Sequence, residues 1–520
     1  MSSPHLPSGG TRGKKIANWL PLGVFAVYAA LPTKNYYWDG VSFALNIEQA
    51  GRIGSPSFWR NLIHPNHLLY NVIGYFAWTL LHSVGLRVRA LTVLQAVNMV
   101  LAALTVLILQ RTLLRLTQSA YLSVAASALF AFSAVYWRFA TDADAYIPSV
   151  LLLVAAFHVL NLAEKPGPLV LGLLHAGAML IHQLAIFFFP AAAIGIYLKA
   201  GRRGLLQYSA LATATTAGVY YASYRLQQQS ALGNAGGLEA VGLNTSGPQT
   251  FLHWLTFHSA DSAFTFSILK SLTTTLANYP RLFFGGTAHL LRFFGPFMLI
   301  TILLLAAVVS ALTIRIIRYP VQFRVNLKPT LPLTVAVIWL VTYAVFLFFW
   351  LPWNTFYKLF CLPAIIVIFA GFLARYEGPR RYRLVLFVAT MVLANLAFYI
   401  FPYSRPDYNQ GVRFALRMQP LWSGRTIVYY SDFMVDDWYI RYFNPQTTWK
   451  PLNPANGAES FAQEAGREIE TGHDIWLDTT AAEALMQNSP AMAAHFYAEQ
   501  EDTVPHRHTI RFYRWRMESP

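Results

Sequence analysis

Long apolar segments recur along the first four hundred residues, and most of them have the length of a membrane-spanning helix. A span needs about 20 apolar residues, and fewer where neighbouring helices bury its ends. The pattern predicts about eleven spans, at residues 16–33, 88–110, 118–138, 146–163, 168–182, 184–199, 204–224, 292–314, 331–350, 359–374 and 383–401. A further apolar stretch, 67–84, is interpreted as an interfacial or re-entrant helix.

The pattern changes after residue 402, where shorter runs of mixed polarity begin. Two strand-like runs, 426–431 and 474–479, are each followed by a helical one, 436–443 and the segment AAEALMQN. Alternation of this kind is typical of a small α/β domain. We therefore predict an all-α polytopic membrane domain with a small external α/β domain, divided into a cytoplasmic tail (1–15), a transmembrane domain (16–402, with a first external loop at 34–87) and a soluble domain (403–520).

Composition supports the membrane assignment, and the placement of charge fixes the sides. The chain is 55% hydrophobic and 12% charged, whereas soluble domains carry about 25% charged residues. The net charge of +16 comes from short basic runs between apolar segments, which indicates positive-inside topology rather than nucleic-acid binding. With 67–84 kept out of the span count, nearly all of these basic residues are predicted to be cytoplasmic: Arg111, Arg115, Lys165, Lys199, Arg202, Arg203, Arg315, Arg318, Arg324, Lys328, Arg375, Arg380, Arg381 and Arg383. Arg87 and Arg89 are exceptions.

Acidic residues are scarce before the C-terminal domain, so each one is informative. Asp39 follows the first span in YYWDGVSFALNIE, and Asp142 and Asp144 follow the third in WRFATDADAYIPSV, next to Tyr146. A carboxylate at a membrane edge can serve as a base or hold a ligand. It can equally cap a helix or meet water, and the spacing leaves both readings open.

Other polar residues fall on the same predicted external face. They are His64, His67 and Tyr70 in NLIHPNHLLYN, His182 and Gln183 in GAMLIHQLAIFFFP, and Lys358 in WLPWNTFYKLF. The two histidines of the first loop could bind a metal ion, line a polar site without metal, or snorkel to the interface. Lys358 could hold a phosphate or sit in an aromatic belt. The single cysteine, Cys361, excludes an intramolecular disulfide, and no Walker loop, GxGxxG, HExxH or CxxC is present.

The order of these segments resembles the GT-C superfamily of membrane glycosyltransferases. In chain order, the segments that carry the resemblance are Asp39 after the first span, the His-Pro segment HPNHLLYNVIGYF, the acidic-x-Tyr group of TDADAY, the turn WNTFYKLFCLP and a soluble C-terminal domain. The chain is most similar to an uncharacterised bacterial branch close to protein O-mannosyltransferases, and more distantly to the lipid A aminoarabinose transferase. Detailed similarity covers about residues 30–200. Val41 and Ser42, and Asn66 and His67, depart from the usual pattern of related branches, which leaves donor and acceptor identity open.

The resemblance implies transfer of a sugar from a polyprenyl-phosphate donor to a glycan, lipid or protein acceptor at the external face of a bacterial inner membrane. Asp39 would act as general base or orient the acceptor. Asp144 would orient the acceptor, pair with a cation or share a divalent metal with Asp39, and His64, His67, Lys358 and Arg281 would face the phosphate. A lipid or glycolipid flippase is the alternative, and a non-catalytic scaffold a third reading. A transporter would place ionisable residues at mid-membrane, where the predicted spans are nearly free of them.

Overall fold

The protein is described by a computed structural model that covers residues 11–162, 166–232, 268–285, 295–318, 330–375, 381–432, 434–452, 457–503 and 509–517. The chain divides into two compact units. The membrane unit consists of Met1–Thr33 and Asn46–Pro402, and the C-terminal unit of Lys34–Leu45 and Tyr403–Pro520. Lys165, Arg324, Lys328, Arg380 and the first ten residues of the predicted tail lie outside the described residues.

Helices make up the membrane unit. In chain order they are α1 (Thr11–Ala30), α2 (Trp38–Gln49, whose first part groups with the C-terminal unit), α3 (Pro56–Leu62), α4 (Tyr70–Ser83), α5 (Ala90–Thr117), α6 (Ala120–Ala131), α7 (Ala134–Ala140), α8 (Tyr146–Leu162), α9 (Pro168–Ile181), α10 (Phe189–Leu232), α11 (Ile268–Phe283), α12 (Pro296–Arg318), α13 (Leu331–Trp350), α14 (Leu362–Arg375) and α15 (Arg381–Asn395). Two 3₁₀ helices, Gln183–Phe188 and Phe356–Cys361, precede α10 and α14, and a π turn, Leu396–Ile400, follows α15.

Several helices are long and apolar enough to cross a bilayer, so the chain is an integral membrane protein. Six helical segments of the described residues meet this test, and the pair α6 and α7, bent by 68°, would make a seventh. Three shorter apolar helices, Trp19–Ala30, Tyr146–Asn161 and Pro168–Ile181, add to them. The expected all-α polytopic architecture is confirmed, whereas the count of eleven spans stays a prediction.

Local breaks explain where the predicted spans and the observed helices differ. Residues 118–138 were expected as one span, but the chain bends between α6 and α7, where Ser133 leaves the helical conformation. Gly201 has φ 66° and ψ −166° inside α10, a conformation open almost only to glycine. This break separates the predicted spans 184–199 and 204–224.

The interval between the predicted spans 204–224 and 292–314 contains further helix in the part that the structure describes. Helix α10 continues to Leu232, and α11 occupies Ile268–Phe283. The side chains of Ile268, Leu269 and Leu276 are exposed on α11, whereas Ser271 and Asn278 are buried. A short helix with an apolar exposed face does not stand out in a search for continuous apolar runs, and for this reason the pattern missed it.

The C-terminal unit is an α/β fold built on one five-stranded sheet, as expected. Its strands are β1 (Thr426–Tyr430), β2 (Thr448–Pro451), β3 (Asp474–Asp478), β4 (Phe496–Asp502) and β5 (Ile510–Trp515), in the order β2-β1-β3-β5-β4. Strands β1, β2 and β3 are parallel, and β5 is antiparallel to both β3 and β4. The helices are α16 (Gln410–Met418), α17 (Val435–Phe443), α18 (Gly457–Glu470) and α19 (Thr479–Asn488).

The start of the loop that was predicted to be external, residues 34–45, belongs to this C-terminal unit. The amide groups of Lys34 and Asn35 donate to the carbonyl of Tyr403 at 2.7 and 3.0 Å. The Tyr36 carbonyl accepts from Tyr439 Oη at 3.0 Å and from Asn409 Nδ2 at 3.4 Å. Residues 34–45, which carry Asp39, are therefore held by the elements that follow residue 402.

Candidate active site

The turn between α7 and α8 carries two buried carboxylates. Asp142 and Asp144 are 0% and 1% exposed. One oxygen of Asp142 accepts from the amide of Ala143 at 2.8 Å, and one of Asp144 from the amide of Ala145 at 2.6 Å. Both donating amides precede α8, which begins at Tyr146, and Asp144 lies close enough to the helix N-terminus for the helix dipole to favour its negative charge. The turn can hold acidic groups in an apolar surrounding because the backbone supplies these donors.

Two amide side chains of α5 fix the same turn from the other side. Asn98 Nδ2 lies 2.8 Å from the carbonyl oxygen of Asp142 and 2.7 Å from that of Asp144. Gln95 Nε2 donates to the carbonyl of Thr141 at 2.7 Å. The two amides are three residues apart, so they lie on one face of α5. Sequence reasoning missed them, although two amides at helical spacing inside a predicted span were a usable signal.

Tyr70, at the start of α4, belongs to the same cluster. Asn98 Nδ2 lies 3.3 Å from its hydroxyl oxygen. Burial raises the pKa of the Tyr70 hydroxyl well above its ordinary value, and the charges of Asp144 and Asp142 raise this pKa further. The hydroxyl therefore stays protonated beside the carboxylates and remains a hydrogen-bond donor.

Three histidines lie next to one another beside this turn. The rings of His64 and His67 stack with centroids 5.3 Å apart, and His67 meets His182 edge to face at 4.6 Å. The His182 ring lies 5.0 Å from that of Tyr146, which opens α8. The structure thus brings together the His-Pro segment, the turn after α9 and the start of α8, which are far apart in the sequence.

The end of α9 explains how the His-Pro segment is held. Helix α9 stops at Ile181 because His182 adopts an extended conformation, φ −153° and ψ 121°. The carbonyls of the last helical turn then lack partners within the helix. The Leu180 carbonyl accepts from the Leu69 amide at 3.1 Å, and the Ile181 carbonyl lies 3.3 Å from His67 Nδ1. Gln183 Nε2 also donates to the Pro65 carbonyl at 3.0 Å.

Lys358 lies in the turn before α14 and is 1% exposed. Its Nζ donates to the carbonyl oxygens of Pro352 and Asn354 at 2.9 and 2.8 Å, and lies 5.8 Å from the centre of the Tyr279 ring. The neighbouring Tyr357 ring is 6.1 Å from the ring of His182. This turn therefore adjoins the histidine cluster, whereas Arg281 is exposed on α11.

A metal ion has no ready-made site in these residues. Across the described ranges, no group of three or more histidine, cysteine, aspartate or glutamate side chains is arranged to hold one. His67 Nδ1 lies 3.3 Å from the Ile181 carbonyl and His182 Nδ1 accepts from the Leu184 amide at 3.2 Å, so these two nitrogens already have protein partners. The divalent metal considered from the sequence thus finds no ligand set among the residues that the structure describes.

Asp39 occupies the first turn of α2 and is partly exposed. Its carbonyl oxygen accepts from Ser42 Oγ at 2.8 Å. Because residues 34–45 group with the C-terminal unit, the convergence of Asp39 with Asp144 stays a prediction. The other site residues predicted from the sequence lie in the membrane unit: His64, His67, Tyr70, Asp142, Asp144, Tyr146, His182, Gln183 and Lys358.

The fold is similar to that of solved GT-C membrane glycosyltransferases. Crystal structures of ArnT, the lipid A aminoarabinose transferase, from Cupriavidus metallidurans align over 97% of this chain and 98% of theirs. The apo structure has a TM-score of 0.55 at 10% identity, and the one bound to undecaprenyl phosphate 0.53 at 9%. An oligosaccharyltransferase from Archaeoglobus fulgidus aligns more weakly, at a TM-score of 0.43 and 12% identity over 94% of this chain and 71% of its own. No family model and no curated protein matches the sequence.

Proposed function

We propose that the protein transfers a sugar from a polyprenyl-phosphate-linked donor to an acceptor at the external face of the membrane. The observation that carries the proposal is the buried cluster of carboxylates, histidines and a lysine beside the apolar helices. ArnT, whose fold the chain shares over nearly its whole length, has been crystallised with undecaprenyl phosphate. A lipid-linked phosphate needs cations and hydrogen-bond donors next to a surface that accepts its apolar tail, and this cluster supplies both.

The reaction is a displacement at the anomeric carbon of the donor sugar. An acceptor hydroxyl forms the new C–O bond while the bond between the anomeric carbon and the phosphate oxygen breaks. The phosphate leaves with the bonding electron pair, and the hydroxyl proton passes to the carboxylate of Asp39. General base catalysis of this kind contributes about 10²–10⁴ in rate.

The membrane unit would bind the leaving phosphate. Lys358 is bonded to carbonyl dipoles, which do not cancel its charge, so a phosphate nearby gains electrostatic stabilisation. The ring of His182 lies near that of Tyr357, the residue next to Lys358, and the ring of His67 contacts that of His182. Both histidines can donate hydrogen bonds to phosphate oxygens. Asp144, tied to the start of α8, would orient the acceptor or the sugar hydroxyls.

The test compares Asp39→Asn with the unmodified protein in proteoliposomes that contain polyprenyl-phosphate-linked sugars. Mass spectrometry measures the polyprenyl phosphate released and the sugar transferred. We expect release to fall by about 10²–10⁴, the loss of a general base, with donor binding unchanged. Asp407→Asn, which alters an exposed carboxylate of the C-terminal unit, is the matched control and should release product at the normal rate.

Two results would count against the proposal. Normal turnover of Asp39→Asn would remove Asp39 from the mechanism. Movement of intact donor across the bilayer by the unmodified protein, with no polyprenyl phosphate released, would replace the transferase by the flippase alternative.

A further inference from the structure

The far ends of α5 and α8 carry a second polar cluster, remote from the Asp144 turn. His158 Nδ1 lies 2.7 Å from Thr112 Oγ1, which also donates to the Ile108 carbonyl of its own helix at 2.9 Å. His158 is twelve residues beyond Tyr146 on α8. At 1.5 Å per residue it lies about 18 Å from the start of that helix. The cluster is thus separate from the proposed active site.

Two arginines of α5 lie next to the residue that contacts this histidine, and a lysine of α10 contacts α8 one turn further on. Arg111 and Arg115 are exposed and one turn apart on α5, and they flank Thr112, the residue that contacts His158. From α10, Lys199 Nζ donates to the Asn161 carbonyl at 3.4 Å. Asn161 is three residues after His158, so it lies on the same face of α8. The end of α8 thus has two arginines of α5 near His158 and a lysine of α10 at Asn161, one turn away.

The cluster also has an unsatisfied acceptor. Asn161 Nδ2 donates to the Phe157 carbonyl at 2.7 Å, while its buried Oδ1 has no hydrogen-bond partner among the described residues. A buried acceptor without a donor costs free energy. A ligand that carries a hydroxyl beside an anionic group would satisfy both Asn161 and the cations.

We propose that Arg111, Arg115, His158 and Lys199 bind the phosphate of an anionic glycerophospholipid, with Asn161 Oδ1 accepting from a hydroxyl of its headgroup. Arginine side chains suit this ligand because their planar forks match phosphate oxygens. The position at the end of two apolar helices suits a molecule whose acyl chains stay in the bilayer. Phosphatidylglycerol has the required combination of one phosphodiester and free headgroup hydroxyls. This site does not depend on the proposed transfer reaction.

The experiment measures lipid binding by the full chain in a neutral detergent. Native mass spectrometry and thermal unfolding are followed as phosphatidylglycerol, phosphatidylcholine or inorganic phosphate is added. We expect phosphatidylglycerol to stay bound and to raise the unfolding temperature, and the other two to do neither. The double variant Arg111→Gln/Arg115→Gln should bind phosphatidylglycerol about 30-fold more weakly, given the usual worth of two cations at a membrane surface.

Arg315→Gln/Arg318→Gln is the matched control, because it removes two exposed arginines three residues apart at the end of α12. These are predicted to lie on the same side of the membrane, and the control should bind normally. Equal weakening in both double variants would show general surface attraction and overturn the site. Equal stabilisation by inorganic phosphate would overturn the lipid as its ligand.

His158→Gln keeps both arginines and serves if the α5 variant does not fold. It should also weaken binding, and normal binding by this variant would refute the site.

Discussion

Asn98 provides the sharpest test of how the Asp142–Asp144 turn is held. Its Nδ2 group carries two hydrogens, and three acceptor oxygens lie within hydrogen-bond distance of it. These oxygens belong to the carbonyls of Asp142 and Asp144 and to the hydroxyl of Tyr70. Asn98 is 0% exposed, so these bonds lie in the interior, away from bulk water. Asn98→Ala removes all of them and leaves two buried carbonyls with one fewer donor.

The expected cost follows from these contacts. Each hydrogen bond contributes about 0.5–1.5 kcal/mol net, and a buried group left without its partner costs toward the upper end. We expect Asn98→Ala to lower the free energy of unfolding by about 2–4 kcal/mol. Since the turn carries Asp144, we also expect slower polyprenyl phosphate release at every donor concentration.

The assay combines thermal unfolding of the purified protein with the proteoliposome release rate. Thr105→Ala is the control on the same helix, since Thr105 is equally buried and its hydroxyl donates to the carbonyl of Leu101 within α5. It should retain the release rate. Normal stability and normal release in Asn98→Ala would refute the reasoning, because the turn would then keep its geometry without α5.

Two further predictions concern stability. Burial, followed by the charge of Asp478, raises the pKa of Asp437 to about 8, whereas an unfolded aspartate titrates near its ordinary value of about 3.9. Folding thus favours the protonated acid. The stabilisation that Asp437 contributes to the free energy of unfolding is therefore complete below about pH 4 and is lost as the pH rises to about 8. Asp437→Asn removes the ionisable group, so it should slow hydrogen exchange of residues 426–443 in the full chain at pH 8 but not at pH 4. The rates are compared after correction for intrinsic exchange. Equal effects at both pH values would contradict this prediction. Gly201→Ala should cost about 1–3 kcal/mol because alanine rarely adopts its backbone conformation. Gly218→Ala is the control, because Gly218 is at a helical position of α10 with no atom within 4 Å of the added methyl. It should stabilise the protein by about 0.5–1 kcal/mol. Thermal unfolding in one detergent measures both variants, and equal shifts of their unfolding temperatures would rule out strain at Gly201.

The sequence predicted those elements whose signal is local. The run Thr426–Tyr430 is rich in β-branched and aromatic residues, and both it and Asp474–Asp478 form strands as expected. Strands β4 and β5 were missed because charged residues interrupt them, as in FYAEQED and IRFYRW. Their strand structure depends on pairing with each other and with β3, which no local pattern reveals.

The residues of the candidate site likewise include some that the sequence indicated and others that it did not. Asp144, His67 and His182 stood out because a titratable residue beside an apolar run is costly without a partner. Gln95 and Asn98 did not stand out, since an amide in an apolar helix gains its role from what packs against it. Their partners are the carbonyls of residues 33, 141, 142 and 144, and backbone carbonyls leave no mark on the sequence.

Helix α5 links the two polar ends of the membrane unit and limits how deep the Asp144 turn lies. Asn98, which binds the turn, and Arg111 are thirteen residues apart, or about 20 Å along the helix. The hydrocarbon core of a bilayer is about 30 Å thick. If Arg111 reaches one interface, the turn lies within the depth of the membrane rather than above it. Carboxylates at that depth persist because the amides of Ala143 and Ala145 donate to them. Under the proposed function, the donor's sugar would reach them sideways from the lipid while the polyprenyl tail stays in the bilayer.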